Sequence, residues 1–152
     1  MTSVATGCPS GDERVLLFGL LAEVNARLSR ALGTQMEEAC GLPLAWFDVL
    51  WQLRRSPEGR LRMSDLADAT VHSTGGTTRL VDRIEAAGYV ARINCPNDRR
   101  AIHVIITDAG NAKLDEALAV HIEQLQSQIS ARLSGDERTA LAELLEKLVD
   151  VD

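Results

Sequence analysis

Between residues 54 and 100 the chain carries nine arginines and only six acidic residues. The rest of the 152 residues carries seven basic and sixteen acidic side chains, so a local excess of +3 sits in a chain of net charge −6. A guanidinium presents five N–H donors in a planar fork that matches phosphate oxygens and the major-groove edge of guanine. Charge segregated in this way lets one face hold a polyanion while the remainder keeps the molecule soluble. The chemistry on offer is therefore binding. No nucleophile–base pair is evident, and the Gly75-Gly76 pair does not fit a phosphate-binding fingerprint, so no enzymatic activity and no cofactor are expected. His72, His103 and His121 lack ligand spacing, and Cys8, Cys40 and Cys95 form no CxxC pair, so neither a metal site nor a disulfide framework is expected.

The elements that must position these arginines follow from periodicity. Leu16, Leu17, Leu20, Leu21, Val24, Leu28, Ala31 and Leu32 recur at helical steps, predicting a helix over 12–33 that stops at Gly33, with 34–42 as a link. Pro43 suits the first turn of a second helix, ended by Ser56-Pro57-Glu58-Gly59. A short segment, 60–62, leads to a third helix over 63–69, and Ser73 is placed to cap a fourth that runs to Ala87 before Gly88. Residues 89–94 and 101–106 read as two strands, joined by a loop over 95–100 that is longer than a tight turn and carries Arg99 and Arg100. Thr107 is placed to cap a fifth helix of about 26 residues, and Ser134 to Glu137 has the spacing of a capping box for a sixth.

Two short helices separated by about four residues have helix-turn-helix spacing, and a basic hairpin loop behind them has the character of a wing. In that geometry the second helix presents its N-terminal side chains to base edges. The candidates are Ser73, Thr74, Gly75, Thr77, Thr78, Arg79 and Arg83 on the helix, with Arg62 beside it and Arg99 and Arg100 in the wing. The fold class expected is mainly α with a small β-hairpin wing. Residues 1–11 are expected to form a disordered tail, 43–106 the winged helix-turn-helix lobe, and 12–42 with 107–152 a helical dimerisation region. No run approaches the length of a membrane helix and the N-terminus has no secretory signal, so a cytoplasmic protein without a membrane partner is expected.

The stretch 61–110, with SDLA (64–67), TRLVDRIEAAGYV (78–90), DRR (98–100) and TDAG (107–110), resembles the winged-helix core of MarR-type regulators, and the flanking helices match in number, order and length. The resemblance implies a homodimeric DNA-binding regulator, built through the first, fifth and sixth helices, that reads a pseudo-palindromic duplex site as a repressor. It also implies that Asp82 and Arg100 pair to brace the wing, leaving Arg99 toward DNA. Residues Thr74 and Gly75 depart from the basic and Ser/Thr residues often found there, and Arg62 stands where a Ser/Thr cap is common. Many such regulators are released by a small aromatic acid bound between lobe and dimer base. Phe18, Trp46, Phe47 and Arg14 are the candidate lining, against the plainer reading of Trp46 and Phe47 as core. Two alternatives stay open: a redox-sensing repressor that uses a cysteine thiol, and a winged-helix protein-interaction module that does not bind DNA.

Overall fold

The computed structural model describes residues 11–70, 74–95 and 97–149, with the side chains of Thr74 and Gly75 outside that description. Helix α1 spans Glu13–Cys40, far past the stop expected at Gly33. Leu32, Met36 and Cys40 are buried at four-residue steps, and this apolar face carries the helix onward. Gly33 lies inside the helix, where a Cβ would stand 3.5 Å from the Cβ of Leu44, so its smallness lets the next helix approach. The helix ends at Gly41, whose left-handed backbone (φ 67°) aims its N–H at Glu37 O.

Helix α2 (Leu44–Arg55) is followed by a 3-10 turn (Pro57–Gly59), strand β1 (Arg60–Arg62), and helices α3 (Met63–Ala69) and α4 (Thr74–Ala86). The expected cap at Ser73 lies outside the described residues. Strands β2 (Val90–Cys95) and β3 (Asp98–Ile106) complete a three-stranded antiparallel sheet in the order β1-β3-β2. The hairpin expected from sequence is therefore extended by 60–62, which pairs with 103–105. The long wing loop is corrected too. Cys95 partners Asp98, and a register shift between Asn94 and Cys95 takes up Arg99, Arg100 and Ala101 within β3.

Helix α5 (Asp108–Leu125) is capped by Thr107, which accepts from Gly110 N. Regular α geometry ends sooner than expected, because Gln126–Ser130 forms a π turn closed by Ala131 N–H on Gln126 O. Helix α6 (Gly135–Val149) begins with the expected capping box: Ser134 N–H donates to Glu137, and Glu137 N–H donates to Ser134 Oγ.

The buried core gathers Met36, Leu42, Phe47, Leu50, Leu53, Leu66, Val81, Ile84, Val104 and Leu114, so α2 and the sheet support α3 and α4 from behind. Arg54 at the end of α2 donates to Asn111 Oδ1 (3.0 Å), Asn111 O (2.7 Å) and Asp115 (2.5 Å), clamping α2 to α5.

Candidate nucleic-acid interface

Helix α4 shows one face to the core and one to solvent. Thr77, Val81 and Ile84 are buried, while Gly76, Thr78, Arg79, Asp82 and Arg83 are exposed. Thr77 is thereby corrected as a contact residue. It sits four residues before Val81 on the helix, so the periodicity that buries Val81 and Ile84 buries it as well. Ser73 lies outside the described residues, and Thr74 opens α4.

The expected Asp82–Arg100 brace is replaced by another. Arg92 on β2 donates to Asp82 Oδ1 at 2.6 Å and pairs with Glu85, and its own backbone N–H donates to Glu85 Oε1 at 3.1 Å. Asp82 and Glu85 are three residues apart on one face of α4, directly over β2, so an arginine rooted there reaches both. Burial works against the Arg92 charge, and the two carboxylates outweigh it, holding its pKa above the usual guanidinium value. Arg100 is exposed. With Arg62, Ser64, Asp98 and Ile102 it lines a cleft of about 400 Å³ between the start of α3 and the wing.

The nine arginines of 54–100 thus divide by what they touch. Arg54, Arg60 and Arg92 are ion-paired, and Arg55 lies over the Trp51 ring at 5.7 Å. Arg62, Arg79, Arg83, Arg99 and Arg100 are exposed and form no ion pair among the described residues. The fold uses the first group to hold its own parts together and leaves the second free to meet an external anion. Sequence reasoning missed the structural roles of Arg54 and Arg92. The available signal for Arg92 was Asp82 and Glu85 spaced i, i+3 before a strand that bears one arginine.

A further structural device fastens the wing to its base. Thr107 N–H donates to Tyr89 O, and Thr107 Oγ1 donates to Gly88 O. Gly110, in the first turn of α5, lies against the same carbonyl: an added Cβ would stand 2.0 Å from Tyr89 O.

The expected effector residues do not converge. Phe18 is 73% exposed on α1, and Arg14 is in solvent, paired with Asp12. Phe47 is buried at 4%, stacked on Trp51 and 4.7 Å from the His121 ring, while Trp46 packs edge-on against Tyr89. Their reach into the core overrides the aromatic signal that suggested a ligand pocket. Cys40 is buried with its thiol donating to Met36 O, Cys95 is half-buried at the end of β2, and Cys8 lies outside the described residues, as does His72. His103 is on β3 and His121 on α5. No helix among the described residues is long and apolar enough to cross a membrane.

A helix pair backed by a three-stranded wing defines a winged helix-turn-helix. A sequence model of the MarR family matches residues 41–101. The HTH-type transcriptional regulator PecS of Dickeya dadantii is 30% identical over 134 residues, covering 88% of this chain and 80% of that protein. Among solved structures, Sco3205, a MarR family transcriptional regulator from Streptomyces coelicolor in complex with DNA, superposes with a TM-score of 0.80 at 28% identity, covering 91% of this chain and 87% of that one. BpsR of Bordetella bronchiseptica, whose DNA binding is regulated by 6-hydroxynicotinic acid, gives 0.78 at 28% identity, covering 95% and 98%. The chain belongs to the MarR family of winged-helix transcriptional regulators and is not an enzyme.

Proposed function

We propose that this protein is a homodimeric, cytoplasmic repressor that binds a pseudo-palindromic duplex through α4 and the wing and is released by a small organic acid. The observation that carries the DNA reading is the division of the arginines. Arg79 and Arg83 on α4, Arg62 beside it, and Arg99 and Arg100 on the wing stay unpaired and exposed around one braced unit. In this reading α4 enters the major groove, with Thr78 and Arg79 toward base edges and Thr74 and Gly75 at the close approach. Arg62 and Arg100 hold phosphate across their shared cleft, and Arg99 reaches the minor groove.

Two copies are needed to span two half-sites about 10 bp apart. Support comes from the apolar side chains left in solvent. On α1 these include Leu16, Leu17, Phe18 and Leu20, and on α6 Leu144 and Leu148, with no α6 residue buried in the chain itself. An exposed stripe of this extent is characteristic of an interface. Release by an organic acid is supported by the likeness to BpsR.

The test is anisotropy of labelled duplex from the region flanking its own coding sequence, over a salt series, with sedimentation of the free protein. A dimer mass and an affinity that falls steeply with salt are expected. A monomer, or binding insensitive to salt, overturns the reading.

A further inference from the structure

Outside the arginine-rich segment the chain holds only seven basic residues against sixteen acids. Three of the seven, Arg27, Arg30 and Arg132, line a single cleft of about 650 Å³ between α1 and the end of α5. Thr34, Gln35 and Gln128 add polar groups, Leu28 and Ala31 add an apolar wall, and Glu38 is the only carboxylate on the lining. Arg27 is paired with Glu23, and Arg132 makes one long contact, 3.3 Å to Gln128 O; Arg30 has no ion pair or side-chain hydrogen bond among the described residues. Like charges gathered on an acidic scaffold repel one another, so their grouping calls for a counter-charge.

The second observation is the backbone. The π turn Gln126–Ser130 supplies Gln128 to the cleft and directly precedes Arg132. π turns are concentrated at functional sites. An adjoining cleft of about 380 Å³ shares Arg27, Leu28, Gln128 and Arg132 and is otherwise apolar, with Val24, Ile129, Leu133 and Leu141. Guanidiniums on one side and aliphatic walls on the other suit an amphiphilic anion.

We propose that this paired cleft is a binding site for a small organic carboxylate, with its head between Arg30 and Arg132 and its apolar body along Leu28 and Ile129. It deepens the effector part of the function proposed above and rests on that reading only for the regulatory consequence. Val24 and Leu141 are exposed apolar residues at its open side, so a second copy closes over the bound molecule.

The test is calorimetry of the full-length protein with 2-naphthoate and, separately, with inorganic phosphate, alongside sedimentation and duplex anisotropy. Naphthoate is expected to bind, and phosphate, which lacks the apolar body, at least about tenfold more weakly. The double variant R30Q/R132Q should remain a folded dimer and lose at least about tenfold in naphthoate affinity, since two charge-assisted hydrogen bonds are removed. Arg14→Gln, on the same helix but outside the cleft, should bind as the parent does. Absence of naphthoate binding, or unchanged affinity in the double variant, overturns the proposal. So does a double variant that falls to monomers, because the arginines would then serve the partner copy. Failure of duplex binding alone would sink the repressor reading and leave the calorimetry standing.

Discussion

Arg92 on β2 meets Asp82 on α4 at 2.6 Å and also pairs with Glu85, so one strand residue fixes the angle between the wing and the helix in front of it. The Arg92 side chain is 24% exposed, which makes this a partly shielded, multiply hydrogen-bonded contact rather than a loose surface pair. Arg92→Ala should lower unfolding free energy by about 1–2 kcal/mol in urea titrations. It should weaken duplex binding further than that loss of folded protein explains, because the wing is no longer aimed. A double-mutant cycle with Asp82→Ala should show coupling of about 1 kcal/mol. Additive single effects would remove the brace from the account.

Gly110→Ala should destabilise the fold severely for a one-methyl change. The new Cβ would meet the backbone oxygen of Tyr89 at 2.0 Å and a methylene of Ile106 at 2.9 Å, and neither is the yielding end of a flexible side chain. A cost of about 2–3 kcal/mol is expected from overpacking, read as a lowered midpoint in thermal melts. An unshifted midpoint would mean that α5 can slide away from the strand end at no cost.

Burial pushes the His121 imidazole below its ordinary pKa. The unfolded chain then takes up a proton at about pH 6.5 while the folded chain resists it. Stability from this group is present in full above that pH and is lost as pH falls toward the folded value. Denaturant midpoints at pH 7.5, 6.5 and 5.5 should therefore decline. His121→Leu, which keeps an apolar group against Phe47, should flatten the decline. An identical decline in the variant would assign it to other groups.

Arg79 and Arg99 should fail differently. Arg79→Ala, on the exposed face of α4, should cost about 1–3 kcal/mol on the preferred site and relax base preference there. Arg100→Ala, with Arg62 in the wing cleft, should weaken all duplexes alike and reduce the slope of log affinity against log salt by about 1. Arg99→Ala should reduce preference for a narrow, A·T-rich minor groove at the flanks. Competition assays against scrambled duplex separate the three outcomes.

Much of this fold was legible because its elements announce themselves locally. The capping box at Ser134–Glu137, the Thr107 cap and the arginine excess of 54–100 are each signals within a few residues. The parts that were not legible depend on distant partners. Gly33 read as a stop because nothing near it in sequence reveals Leu44 packed against it. Strand β1 was invisible because three residues carry no periodicity, and its pairing to 103–105 is a tertiary fact. Thr77 was counted with its exposed neighbours although its spacing to Val81 already assigned it inward. Arg100 was given the brace that belongs to Arg92, since the register shift at Asn94 that sets the wing tip has no local mark.

The unbroken course of α1 has a mechanical consequence. At 28 residues it is about 42 Å of continuous rod, with its exposed apolar end at one extreme and Gly41, next to the start of α2, at the other. A rod of that length converts angle into distance: a tilt of about 5° at the apolar end carries Gly41 about 4 Å, close to the 3.4 Å rise of one base step. How strictly the protein counts base pairs between half-sites is then set by the bending stiffness of a single helix, and anything lodged against the middle of that rod acts on it as a wedge acts on a lever.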